Sequence, residues 1–137
     1  MHVPPPPAIL GFVALRCLIV DDNGGFRDAA RSLLEREEIE VVGVASNSAE
    51  AHTRVAELRP EVVLVDIALG AESGFELAQA LAREGGPTLI LISTLAEADF
   101  VDLIAASPAV GFIAKSELSA RAIRDLVADG DARGVHR

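Results

Sequence analysis

Residues 61–66 read Glu-Val-Val-Leu-Val-Asp. Four consecutive Val or Leu residues end on a carboxylate. Unbroken apolar runs of this length, without polar alternation, belong to strands buried on both faces, as in parallel sheets covered by helices. The same pattern recurs on either side. Upstream lie Arg16–Val20 (RCLIV) and Ile39–Ala45 (IEVVGVA), and downstream Thr88–Ser93 (TLILIS) and Ala109–Ala114 (AVGFIA).

Helical spacing fills the gaps. Phe26, Ala29, Ala30, Leu33 and Leu34 recur at intervals of three and four, with Asp22 or Asn23 placed to cap them. Ala51, Val55 and Leu58 predict a second helix closed by Pro60. Phe75, Ala78, Leu81 and Ala82 predict a third, stopped by Gly85-Gly86-Pro87. Glu97–Ala106 reads as a shorter fourth helix. Ala122, Ile123, Leu126 and Val127 define a fifth, which Gly130 is expected to end. Five β–α units in series imply an α/β fold, a five-stranded doubly wound parallel sheet with right-handed crossovers.

The bulk properties agree. A chain of 137 residues, 50% apolar and 24% charged, is one globular domain. Cys17 is the one cysteine, so no intrachain disulfide exists, and its apolar surroundings make it a small core residue. Residues 1–14, with four consecutive prolines, read as a tail, partly polyproline II; they lack the basic start of a signal peptide. The domain is expected over residues 15–128 and a second tail over 129–137. Only nine residues follow Ala128, too few for an output domain. The apolar stretch Ile9 to Leu15 is too short to span a bilayer, and the cytoplasm is the expected location. A net charge of −9 and the absence of Trp and Tyr argue against direct nucleic-acid binding. His2, His52 and His136 are scattered, and no His/Cys cluster suggests zinc.

In such a sheet the functional crevice lies at the carboxyl ends of the strands. Strand one ends in Asp21 and Asp22, strand three in Asp66, strand four in Ser93 followed by Thr94, and strand five in Lys115. One strand-end Asp is ordinarily a cap or turn residue. Three carboxylates, a hydroxyl and an ammonium on one edge do not reduce to that. The carboxylates repel one another, and a divalent cation relieves the repulsion. Mg²⁺ suits oxygen ligands and bridges carboxylates to phosphate. Lys115 supplies a compact charge for a phosphoryl oxygen, and Ser93 a hydrogen bond. Asp66, on the central strand between the acidic pair and Lys115, is the best placed nucleophile for phosphorus.

Four segments in order, LIVDDN at 18–23, VVLVDIALGAESGFEL at 62–77, LILIST at 89–94 and GFIAKSEL at 111–118, resemble the receiver domain of two-component response regulators. The resemblance covers about Leu15 to Val127. It implies a flavodoxin-like (βα)5 fold with strand order 2-1-3-4-5. It makes Asp66 the phosphorylated aspartate, Asp22 a direct metal ligand, Asp21 a ligand acting largely through water, and the carbonyl of Ala68 the last protein ligand. Ser93 matches the switch hydroxyl, Phe112 the switch aromatic and Lys115 the motif lysine. The implied partners are a sensor histidine kinase or phosphotransfer protein, and a downstream protein or second copy engaged through residues 96–127. Catalysis would be limited to the domain's own phosphorylation and dephosphorylation.

Two positions depart from the family's pattern. Gly70 and Ser116 stand where the family often has Pro, and Ser116 is a candidate cap for the last helix. An alternative is the receiver half of a helix-turn-helix DNA-binding regulator. A flavin or nucleotide binder fits poorly, because the loop after strand one opens with two carboxylates. An aspartyl phosphohydrolase fits poorly, because Ala68 stands where a second acid is common.

Overall fold

The computed structural model describes residues 14–134. Apart from Ala14, the expected N-terminal tail lies outside them, as do His2 and His136. Within the described residues, seven strands and five α-helices alternate: β1 (Arg16–Val20), α1 (Gly24–Arg36), β2 (Glu40–Ala45), α2 (Ser48–Leu58), β3 (Val62–Asp66), β4 (Ala68–Leu69), β5 (Glu72–Ser73), α3 (Gly74–Arg83), β6 (Thr88–Ser93), α4 (Val101–Ala106), β7 (Gly111–Ala114) and α5 (Ala120–Gly134). The main sheet is parallel, with order β2-β1-β3-β6-β7. Counting its five strands alone, this is the expected 2-1-3-4-5.

The unbroken apolar runs are explained by two cores, one on each face. Cys17, Ile19, Val62, Leu64, Ile90 and Ile92 point to one side and pack with Ala30 and Leu34 of α1 and Ile123 of α5. Leu18, Val20, Val63, Val65, Leu89 and Leu91 point to the other and pack with Ala51 of α2 and Leu77, Ala78 and Leu81 of α3. Side chains alternate along a strand, so a sheet sandwiched by helices has no polar face. All five residues of β3 are buried. Cys17 is fully buried, and burial pushes its thiol up to about 12, so it is an inert core residue.

Side-chain caps start every α-helix but α4, each worth about 1 kcal/mol. Asn23, and not Asp22, accepts from the Phe26 N–H at 2.9 Å, Asn47 from Glu50 at 2.9 Å, and Ser73 from Glu76 at 3.3 Å. Ser119 caps α5, accepting from Ala122 at 3.0 Å. Ser116 therefore does not cap this helix; it lies in a 3-10 turn, Lys115–Glu117, and the described peptide bonds are trans. The fourth helix is split into a 3-10 turn, Glu97–Phe100, and the short α4. Helix α5 runs through Gly130 to Gly134 rather than stopping at Gly130. A Cβ at Gly130 would lie 2.6 Å from Cγ1 of Val110, so that glycine serves close packing instead of termination.

The hairpin β4–β5 adds a feature that the apolar pattern does not predict. Gly70 and Ala71 form its two-residue turn, with Gly70 at φ +63°, a conformation glycine adopts without steric penalty.

Candidate functional site

Register brings the carboxyl ends together. Val20 pairs with Val65, so Asp21 follows directly beside Asp66. Asp66 pairs with Ile92, and Ser93 with Ala114, which puts Ser93 and Lys115 one step beyond on the next two strands.

Asp21 is fully buried. Its Oδ1 accepts from the Asn23 N–H at 2.8 Å, and its Oδ2 lies 2.5 Å from Nζ of Lys115. That second contact is a buried ion pair. Arg27 Nη1 donates to the Asp21 carbonyl at 2.6 Å and anchors the loop from the helix side. Asp66 is also buried; Oδ1 accepts from the Ala68 N–H at 3.0 Å and Oδ2 from Lys115 Nζ at 2.8 Å. Asp22 is exposed at the rim. One oxygen from each of Asp21, Asp22 and Asp66 fits within 4.8 Å of the others.

Charge follows from this packing. Burial holds the Asp66 carboxyl above the usual carboxylate range, assisted by neighbouring Asp21, against the lowering effect of Lys115 and the Ala68 N–H. Burial alone would lower Lys115, but the two carboxylates beside it outweigh that and hold its ammonium above the ordinary lysine value. Three carboxylates thus cluster at an edge where Lys115 pairs with two of them, so negative charge is in excess there. A compact all-carboxylate donor set, with one member exposed at the rim, fits a hard divalent cation that keeps several waters.

Lys115 is the one lysine of the sequence; the other eleven of its 12 basic residues are arginine. Its Nζ also lies 4.4 Å from the ring centroid of Phe26, a partner the helical spacing does not single out. Ser93 is buried, but its Oγ accepts from the Leu95 N–H at 2.9 Å and makes no hydrogen bond to Asp66. Phe112 is half-buried and packs against the core on the α2–α3 side, along with Phe100 and Ile104. Ala68 is exposed beside Asp66.

Gly74 is a second residue that the sequence pattern does not single out. A Cβ there would lie 1.9 Å from the Asp66 carbonyl oxygen, so only glycine lets α3 start against the end of β3. The cavity of about 650 Å³ lined by Val55, Pro60, Glu61, Glu84 and Thr88 lies at the opposite, amino edge of the sheet, where β3 and β6 begin. It takes no part in the carboxylate site.

Residues 17–128 match the family described as the response regulator receiver domain. The chain belongs to that family. Similar proteins include a protein-glutamate methylesterase/protein-glutamine glutaminase of Burkholderia thailandensis, 33% identical over 78% of this chain and 31% of that protein. The transcriptional regulatory protein LiaR of Bacillus subtilis is 29% identical over 77% of this chain and 51% of its own length. The chain spans about a third of the first of these relatives and half of the second. Among solved structures, the signal receiver domain of a modulated diguanylate cyclase from Desulfovibrio desulfuricans superposes with a TM-score of 0.76 at 27% identity, covering 91% of this chain and all of that one. The receiver domain of the putative response regulator NarL from Mycobacterium tuberculosis gives 0.72 at 25%, covering 82% and 96%. Receiver domains of response regulators work with histidine kinases, and this receiver carries an acidic cluster at the expected edge. Among the described residues, no helix is long and apolar enough to cross a membrane.

Proposed function

We propose that this receiver, over residues 15–128, accepts a phosphoryl group on Asp66 from a histidine kinase or phosphotransfer protein in the cytoplasm, and that its own chemistry is limited to gaining and losing that group. The observation that carries the reading is the contact of Lys115 with both Asp21 and Asp66 across strands that only the fold brings together.

Asp21, Asp22, Asp66 and the carbonyl of Ala68 would hold Mg²⁺, which supplies charge neutralisation for the incoming phosphoryl oxygens. An Asp66 carboxylate oxygen attacks phosphorus in line. The new O–P bond forms as the donor's N–P bond breaks, or the O–P bond of a small acyl phosphate, and the electron pair leaves with the donor. Lys115 shifts its ammonium toward a phosphoryl oxygen. The Ser93 hydroxyl, now an acceptor for Leu95, still has its own proton to donate to another.

That donation supports an output face. Turning Ser93 toward Asp66 withdraws the acceptor from Leu95 and displaces the loop Thr94–Ala98. Phe112, half-buried on the strand next to β6, then fills the vacated space, giving two packings instead of a continuum. Residues 96–127 then present the change to a protein partner or a second copy. Leu95, Val101 and Leu103 are about half exposed, at 51%, 55% and 53%. Glu97, Asp99 and Asp102 make that segment acidic, which suits an apolar and basic partner surface and not a nucleic acid.

The test is incubation with acetyl phosphate and Mg²⁺, followed by intact mass. One phosphoryl group is expected on wild type, and none after chelation or on Asp66→Asn. Equal uptake by Asp66→Asn overturns the assignment. A second reading, the receiver part of a DNA-binding transcriptional regulator, draws on the kinship with LiaR. The reading frame after Arg137 separates the two.

A further inference from the structure

Four residues close a ring of contacts around the lysine. Asp21 Oδ1 accepts from the Asn23 N–H at 2.8 Å. Asn23 Oδ1 accepts from the Phe26 N–H at 2.9 Å. The Phe26 ring lies 4.4 Å from Lys115 Nζ, and Lys115 returns to Asp21 Oδ2 at 2.5 Å. The cap that starts α1 therefore fixes both the first carboxylate and the ring that faces the ammonium. The Phe26 side chain also packs against the core on the α1–α5 side, which limits its rotation.

We propose that Phe26 is the positioning residue for Lys115, holding the ammonium on Asp21 and Asp66 and guiding it as it moves to the phosphoryl oxygen. This inference rests on Asp66 being the acceptor. An aromatic face attracts a cation through its quadrupole yet makes no competing strong hydrogen bond. Two carboxylates hold the ammonium on one side, and the ring excludes water on another. The lysine can exchange one carboxylate for a phosphoryl oxygen without leaving the ring. An arginine could not do this: its flat guanidinium would stack on the ring and fix both carboxylates by its fork. Every other basic residue of the chain is arginine, and lysine stands at this position alone.

The single lysine gives a direct readout, because lysine labelled with ¹⁵N at Nζ yields one ammonium resonance from the whole protein. In wild type that resonance should be displaced upfield by the ring current and protected from exchange with water. Phe26→Leu should lose both signatures, and Phe26→Tyr, which restores a face, should regain them. In parallel, the initial rate of phosphorylation by acetyl phosphate at saturating Mg²⁺ should fall about three- to tenfold in Phe26→Leu and recover in Phe26→Tyr. Mg²⁺ affinity should stay constant, since the proposed ligands are carboxylate and carbonyl oxygens and not the ring. A ζ resonance unmoved in Phe26→Leu overturns the proposal, and so does a rate within about twofold of wild type in a folded variant. A rate that falls while the resonance stays put assigns Phe26 to packing alone and overturns it equally. Wild type that takes up no phosphoryl group would overturn the reading of Asp66 instead. The ζ resonance would still decide whether the ring holds the lysine.

Discussion

Gly24 and Gly74 each open a helix, and replacing each by alanine should have opposite consequences. At Gly24 a new Cβ meets the end of the Arg27 side chain at 3.4 Å, an ordinary contact that a flexible guanidinium accommodates. At Gly74 it would lie 1.9 Å from the Asp66 carbonyl oxygen and 2.7 Å from Cα of Ile67. These are backbone atoms, so no rotamer change relieves the overlap. Either the end of β3 or the start of α3 must move. The Gly74 N–H bond to the Ile67 carbonyl, 2.9 Å, stretches with it. Losing that bond costs about 1 kcal/mol. Overpacking adds about 1–3 kcal/mol. Better helix propensity of alanine returns at most about 1 kcal/mol. The net for Gly74→Ala is a loss of about 1–4 kcal/mol, against a change near zero or a slight gain for Gly24→Ala. Urea unfolding followed by far-ultraviolet circular dichroism measures both, with equal slopes required for the comparison. Because the displaced atoms belong to Asp66, Gly74→Ala should also slow phosphorylation. A Gly74→Ala protein as stable as Gly24→Ala would refute the close-approach argument.

The charges set further outcomes. Metal-free Asp66→Asn should be more stable than wild type at neutral pH, because burial raises the Asp66 carboxyl and its ionised form is disfavoured in the fold. A raised carboxyl contributes stability at low pH that is lost as pH rises through its folded value, so the gap between variant and wild type should narrow on acidification; a gap that widens would contradict the sign. Asp22→Ala should weaken Mg²⁺ binding more than Asp21→Ala, since Asp22 is exposed at the rim and Asp21 is engaged with Lys115; equal affinities by titration would count against the proposed ligand roles. Beryllofluoride, a phosphoryl mimic, should shift amide resonances across residues 96–127, and changes confined to the carboxylates would show that this face is not the output.

The sheet and the acidic edge are legible in the sequence for one physical reason. Strands buried on both faces must be apolar throughout, so the first polar residue after each run marks the strand end and the crevice. Asp21, Asp66 and Lys115 stand out in that way, and the register places them in contact. The features that stay hidden depend on approach between distant segments. Phe26 fits its helix stripe as a core residue, and nothing local announces that its ring meets Lys115. Gly74 carries no local signal, and its role shows only when the end of β3 is beside it. Gly130 resembles a helix stop, and only the neighbouring Val110 shows why glycine is there. The β4–β5 hairpin has two-residue strands, too short for any periodicity to register.

The central claim is that Asp66 takes the phosphoryl group, and trapping the acyl phosphate tests it most directly. Wild-type protein phosphorylated in Mg²⁺ and reduced with borohydride should carry homoserine in place of Asp66, identified by tandem mass spectrometry of the peptide spanning β3. Asp21 and Asp22 should remain unreduced. Homoserine at either of those positions, or none at Asp66 in protein that has gained a phosphoryl group, would contradict the account.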